Sequence, residues 1–74
     1  MIPILYDPAT DSMYITLREG RVVESIADDD RDFTIDIDAD GEPLGYNIQF
    51  ASKHPDVIAE ALQILQRGNK IAAE

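Results

Sequence analysis

Apolar and polar residues alternate along most of residues 2–50, a pattern typical of strands that bury one face of a sheet. Alternation at Ile2, Ile4 and Tyr6 predicts a short first strand. Residues 7–11 are rich in Asp, Pro and Thr, which favour a turn. The first strand is therefore expected to end there.

A first hairpin is predicted between residues 12–18, where apolar and polar residues alternate, and the run of residues 22–26 that follows Glu19-Gly20. A two-residue turn at Glu19-Gly20 would pair Leu17 with Val22, Ile15 with Glu24 and Met13 with Ile26. This register places one carboxylate among apolar side chains. Glu24 therefore lies at an exposed margin, or the turn is longer than two residues.

A second hairpin is predicted around Asp40-Gly41, a pair typical of a type I′ turn. Its register pairs apolar residues on one face: Phe33 with Ile48, Ile35 with Tyr46 and Ile37 with Leu44. The other face is polar or small: Thr34 with Asn47, Asp36 with Gly45 and Asp38 with Pro43. Because proline cannot donate a ladder hydrogen bond, we expect the last strand to be a sheet edge near Pro43.

Residues 54–68 have the pattern of an amphipathic helix, with Pro55 in the first turn, Asp56 near its positive end and Gly68 as a stop. At about 100° per residue, one arc of roughly 160° holds the apolar residues. These are Val57, Ile58, Ala61, Leu62, Ile64 and Leu65. Residues 69–74 are expected to form a tail in which Ile71 can still touch the core.

Together these elements predict an α+β fold, an antiparallel four- to five-stranded β-meander with one C-terminal amphipathic helix packed on one face. We expect a single small domain over residues 1–74, divided into a meander (1–50), a helix (54–68) and a tail (69–74). A chain of 74 residues is near the lower limit for a self-sufficient core, so a homodimer is a natural expectation.

The formal net charge of −9 is concentrated between Glu24 and Glu42, where Arg31 is the one base. Such a field repels nucleic acid and anionic membrane and favours cations or a basic protein partner, so direct nucleic-acid or membrane binding is not expected. The candidate partner-binding residues are Glu24, Asp28, Asp29, Asp30, Asp32, Asp36, Asp38 and Tyr14. The alternative is that the carboxylates only keep a small protein soluble.

Asp36, Asp38, Asp40 and Gly41 spell D-x-D-x-D-G, the opening of a calcium loop. The twelfth position of such a loop, however, would be Asn47 instead of the glutamate that binds the ion with both oxygens. We therefore expect no metal and no cofactor. A weak cation site or enzymatic site using these three aspartates remains the alternative.

Catalytic groups are few. His54 is the one histidine and lies beside Ser52 and Lys53, where it can cap the helix or receive an anion. There is no cysteine, and the N-terminal MIPILYDPA has neither a basic region nor a long apolar run. We expect no catalytic residue and a cytoplasmic location, with enzymatic activity less expected than binding.

A series of short motifs resembles the small bacterial proteins grouped as domain of unknown function 2283. The motifs are Tyr6-Asp7-Pro8, Asp11, Tyr14-Ile15, Asp36-x-Asp38-x-Asp40-Gly41, Gly45-x-x-Ile48 and Ala51-Ser52. The resemblance covers about residues 4–52 and leaves out the predicted helix. Where the family often has Gly-Ile-Glu-Ile, this chain has Gly45-Tyr46-Asn47-Ile48 and so lacks a carboxylate at position 47.

The resemblance implies no established activity and no catalytic residue. Some family members are encoded beside small putative toxins, which implies an antitoxin-like or accessory role for those members. The sequence thus favours a non-enzymatic protein-interaction module, antitoxin-like or an inhibitor of a basic partner.

Overall fold

The computed structural model describes residues 3–73, and it describes side chains for residues 3–67. The strands are β1 (Ile4–Asp7), β2 (Ser12–Thr16), β3 (Glu24–Asp28), β4 (Phe33–Ile37) and β5 (Pro43–Ile48). A short 3₁₀ turn, Ala51–Lys53, leads into the helix α1 (Pro55–Ala73). The five antiparallel strands form one sheet, and the helix packs on one face of it. The predicted α+β class is confirmed.

The strand order in the sheet is β1-β2-β5-β4-β3, which is not strictly sequential. The predicted hairpin between residues 12–18 and 22–26 is wrong, because β2 pairs with β1 and β5 while β3 pairs with β4. In this order Ile15 lies opposite Tyr46, and both side chains are buried. Glu24 lies instead opposite Ile37 at an exposed position, so no carboxylate enters the core.

The predicted register of the β4–β5 hairpin is confirmed for Phe33 with Ile48, Thr34 with Asn47, Ile35 with Tyr46 and Asp36 with Gly45. Beyond Asp36 a bulge shifts the register, and Ile37 pairs with Pro43 instead of Leu44.

The turn of this hairpin is a three-residue loop in which Gly41 adopts φ 80° and Asp40 does not have a positive φ. The Asp38 N–H donates to the Glu42 carbonyl at 3.0 Å, and the Gly41 N–H donates to the Asp38 carbonyl at 3.0 Å. This geometry differs from the predicted type I′ turn. The Asp38 carboxylate stabilises the longer loop by accepting the backbone N–H groups of Asp40 at 2.9 Å and Glu42 at 3.0 Å.

As a whole strand, β5 lies in the middle of the sheet and is not an edge, although near Pro43 it has no paired strand on the β2 side, as predicted. Its pairing with β2 ends at Gly45, before it reaches Pro43. The missing N–H of Pro43 therefore interrupts no ladder on that side. The edges of the sheet are β1 and β3.

The core lies between the helix and the middle strands of the sheet. Its fully or nearly fully buried side chains are Ile15, Phe33, Leu44, Tyr46, Ile48, Ala51, Val57 and Ala61. The helix contacts β2 and β5 but extends less over β3, where Glu24, Ser25, Ile26 and Ala27 are exposed.

The helix continues past Gly68 to Ala73, whereas the sequence predicted a stop at Gly68 and a tail over residues 69–74. A glycine inside a helix costs only about 1 kcal/mol relative to alanine, so it does not force an end. The side chain of Ile71 lies outside the described residues, so its predicted core contact stays a prediction. No helix in the described part of the chain is both long and apolar enough to cross a membrane.

Candidate functional site

A hydrogen-bonded network crosses the sheet face opposite the helix. The Tyr14 hydroxyl on β2 donates to Asp36 Oδ2 on β4 at 2.8 Å, and Ser25 Oγ on β3 donates to Asp36 Oδ1 at 2.6 Å. The Tyr14 ring reaches Asp36 by passing over β5 at Gly45. A Cβ atom added to Gly45 would lie 2.7 Å from Tyr14 Cζ and closer still to the hydroxyl oxygen. Asp36 thus joins three strands and is already engaged through both of its oxygens.

Burial and the hydrogen bond to Asp36 raise the pKa of Tyr14 to about 12. Burial and the hydrogen bond to Glu60 likewise raise the pKa of Tyr46 to about 12. Both phenols therefore keep their protons at neutral pH and act as hydrogen-bond donors. They do not have the lowered pKa that would make a tyrosine a base or nucleophile.

These pKa shifts predict alkaline destabilisation. The pKa of each phenol is higher in the folded chain than in the unfolded chain, where it is about 10. The folded chain therefore keeps these two phenolic protons to a higher pH than the unfolded chain does. The resulting stability is fully present below pH of about 10 and is lost as the pH rises through about 12. Tyrosinate absorbance should therefore rise later in the native protein than in the urea-unfolded chain. Coincident curves would contradict the two hydrogen bonds, and Tyr14→Phe should remove one delayed component.

Asp38 lies in the β4–β5 loop and does not share a site with Asp36. Its hydrogen bond from the Glu42 backbone lowers the pKa of the Asp38 carboxyl, and Arg18 lowers it further through an ion pair. The D-x-D-x-D-G pattern is thus built into a strand and a turn. Within the described residues, no group of three His, Cys, Asp or Glu side chains is placed to hold a metal ion.

A second cluster joins the β1–β2 turn to the 3₁₀ turn. The Asp11 carboxylate accepts hydrogen bonds from the Tyr6 hydroxyl at 2.7 Å, the Ser52 hydroxyl at 2.7 Å and the Ser52 N–H at 3.2 Å. These bonds, with Ser52 first, lower the pKa of the Asp11 carboxyl. The Ala51 N–H also donates to the Asp11 carbonyl at 2.8 Å. Asp11 therefore fixes the chain where it leaves the sheet toward the helix.

The motif residues of the sequence are thus the ones that tie the sheet together. The family model described as "Protein of unknown function (DUF2283)" matches residues 4–52. The chain belongs to the DUF2283 family. No curated protein and no solved structure matches it. The DUF2283 match spans all five strands and ends at Ser52, before the helix begins at Pro55.

Residues of the DUF2283 motifs form two hydrogen-bonded units in this chain. Tyr14, Asp36 and Gly45 form one cross-strand unit, and Tyr6, Asp11 and Ser52 form another. Each unit combines residues from separate motifs of the matched segment. The side chains of these residues hold the strands and the 3₁₀ turn in position.

A third cluster ties the β3–β4 turn to the helix through Arg31. Its guanidinium lies 3.3 Å from Asp28, 3.4 Å from Asp56 and 3.3 Å from Glu60. It also lies over the Phe33 ring, 5.0 Å from the centroid. Arg31, the one base in the acidic segment, therefore neutralises part of that segment internally.

His54 belongs to the same junction. Its Nε2 lies 3.1 Å from Asp32 Oδ2, within hydrogen-bond distance, and its carbonyl accepts the Ile58 N–H at 3.2 Å. The histidine thus joins the start of the helix to the β3–β4 turn. The His54 carbonyl, rather than the His54 ring, accepts the hydrogen bond from the first turn of the helix.

An open groove of about 500 Å³ lies beside these contacts, between the helix and β3. Apolar side chains line it at Ile26, Phe33 and Ile35, and charged residues line it at 28–31 and Glu60. Ile26 is 49% exposed, and the preceding Val22 and Val23 are 47% and 55% exposed. Sequence reasoning missed this groove because it placed β3 beside β2, whereas β3 is an outer strand.

The structure divides the predicted partner-binding residues among several places. Asp28, Asp29 and Asp30 line the groove, and Glu24 lies at the other end of β3. Asp32 contacts His54, Asp38 stabilises the hairpin loop, and Tyr14 and Asp36 lie on the opposite face of the sheet. Among described side chains, the carboxylates of Glu24, Asp29 and Asp30 accept no hydrogen bond.

Proposed function

We propose that this DUF2283 protein is a non-enzymatic interaction module that binds a basic protein in the cytoplasm. The observation that carries the proposal is the groove beside β3, which combines apolar residues with an acidic margin at an exposed side of the sheet. An apolar centre with a polar margin is the usual organisation of a protein interface.

The charge of the surface supports a basic partner. The protein has a net charge of −9, and Asp29 and Asp30 are exposed beside the groove. Complementary charge speeds association with a basic protein and disfavours acidic ones. An antitoxin-like inhibitor that covers a basic surface is one form of this function.

The alternative of a cation-dependent or enzymatic site receives less support from the geometry. Asp36 is engaged by Tyr14 and Ser25, and Asp38 is engaged by its own loop and by Arg18. A ligand at these aspartates would have to displace hydrogen bonds that join the strands.

The proposal is tested by charge reversal at the groove. Asp29→Lys with Asp30→Lys should weaken capture of a basic protein from the native host by at least about tenfold, or 1.4 kcal/mol. Binding would be followed by affinity capture, mass spectrometry and titration of the purified partner at several salt concentrations.

The matched control is Asp40→Lys with Glu42→Lys, which changes the charge equally in the exposed β4–β5 loop. This control should keep most of the affinity. Equal loss in both double variants would mean that only net charge matters, and no basic protein retained at low salt would overturn the proposal.

A further inference from the structure

The outer edge of β3 is exposed to solvent along its length. β3 is the last strand in the order of the sheet, and its other side pairs with β4 from Glu24 to Asp28. Its outward backbone N–H and C=O groups have no neighbouring strand in the described part of the chain. Such an edge can accept a further strand.

The β3 side chains on the helix-facing side of the sheet have a simple charge order. Glu24, Ile26 and Asp28 lie opposite Ile37, Ile35 and Phe33, so they share the face that the helix covers elsewhere. Ser25 and Ala27 belong to the other face. On this side of the sheet β3 therefore presents an acidic, an apolar and an acidic side chain, of which Ile26 and Asp28 line the groove. Asp28 already lies 3.3 Å from the Arg31 guanidinium, so Glu24 is the acidic side chain that a new basic residue meets without competition from Arg31.

We propose that β3 accepts an extended basic segment of a partner protein as a sixth strand, whose side chains on the helix-facing side of the sheet are basic, apolar and basic in order. The order of β3 is the same from either end, so the complementary pattern holds for a parallel or an antiparallel strand. Opposite charges and apolar pairs directly across two strands are stabilising. This inference rests on the proposed function and specifies its binding mode.

The same order disfavours a second copy of this chain at the edge. Antiparallel self-pairing centred on Ile26 would place Glu24 opposite Asp28 of the other copy, and the reverse contact would repeat the repulsion. Like charges directly opposite each other are destabilising. A basic segment is attracted to the same positions. Charge therefore favours a basic segment over a second copy of this chain.

The first test uses a synthetic peptide with the core Lys-Thr-Ile-Thr-Lys, labelled for fluorescence anisotropy and titrated with the whole protein. Its control is Lys-Lys-Thr-Thr-Ile, which has the same composition and charge but lacks the alternation. We expect the alternating peptide to bind at least about tenfold more tightly. Glu24→Lys should weaken that binding, whereas Glu42→Lys in the β4–β5 loop should keep it.

The second test separates strand addition from attraction between charges. Alternate amides of an extended strand point to opposite sides, so only one set can face β3. Two versions of the alternating peptide would be N-methylated, one on Lys and Ile and the other on Thr. Strand addition predicts that one version loses binding by at least about tenfold while the other retains it.

Equal binding of all the peptides would overturn strand addition and leave the proposed function standing, because charge alone would then explain recognition. No peptide binding, with a basic partner still captured through Asp29 and Asp30, would also overturn the inference alone. A dimer in solution whose β3 amides are protected from hydrogen exchange would identify a second copy as the occupant and overturn the basic segment.

Discussion

Replacing Gly45 with valine is expected to destabilise the protein by roughly 3 kcal/mol. The three atoms nearest to an added Cβ all belong to Tyr14, so the new side chain must displace the Tyr14 ring. That displacement breaks the 2.8 Å hydrogen bond to Asp36 and leaves a partly buried carboxylate with one donor fewer. Urea denaturation followed by circular dichroism would measure the change.

A double-mutant cycle with Tyr14→Ala identifies the cause. In the Tyr14→Ala background, Gly45→Val should cost much less than in the natural sequence, because the ring that it displaces is gone. The same cost in both backgrounds would show that Tyr14 is not what requires a glycine on β5.

Tyr46→Ala is expected to remove most of the stability of the protein. Tyr46 is 2% exposed, stacks on Phe33 with ring centroids 5.4 Å apart, and donates to Glu60 on the helix at 2.9 Å. Loss of a buried aromatic ring costs about 3–5 kcal/mol. At about 0.05–0.15 kcal/mol per residue, a protein of this size has a total of only about 4–11 kcal/mol. The temperature at which the variant unfolds should be far below that of the natural protein.

Tyr46→Phe is the matched control, because it keeps the ring and removes only the bond to Glu60. It should cost about 1 kcal/mol. If the phenylalanine variant were as unstable as the alanine variant, the link to Glu60 would outweigh the packing of the ring.

The β4–β5 register could be predicted because the evidence for it is local. Alternation between Phe33 and Ile37 and a glycine at position 41 specify the buried face and the place of the turn, but not the type of turn. The bulge near Ile37 could not be predicted, since it depends on which backbone groups the Asp38 carboxylate accepts.

The partner of β2 could not be predicted from alternation. Residues 22–26 and β5 both offer apolar side chains to β2, and a short turn favoured the nearer segment. Burial favours pairing with β5, because Ile15 and Tyr46 are then buried together in the core. Pairing with residues 22–26 would instead place the Glu24 carboxylate beside Ile15. Which distant segments pair depends on the whole sheet. The periodicity of one segment therefore does not predict its partner.

The same error limited the candidate site. Strand order determines that Tyr14 reaches Asp36 and that Arg31 reaches the helix, so treating the acidic residues as one continuous surface was too simple. Gly45 opposite Asp36 was the available signal, because a glycine in a strand often marks the close approach of another group. That signal indicated space without identifying the side chain that fills it.

The strand order also has a consequence for how the chain folds. β3, β4 and β5 follow one another in sequence and pair as neighbours, so they can assemble through short loops. The β1–β2 hairpin joins them only through β2 and β5, which are separated by the whole β3–β4 segment. Closing that long loop carries the largest entropy cost in the sheet. We therefore expect the meeting of β2 with β5 to be the step that controls the folding rate.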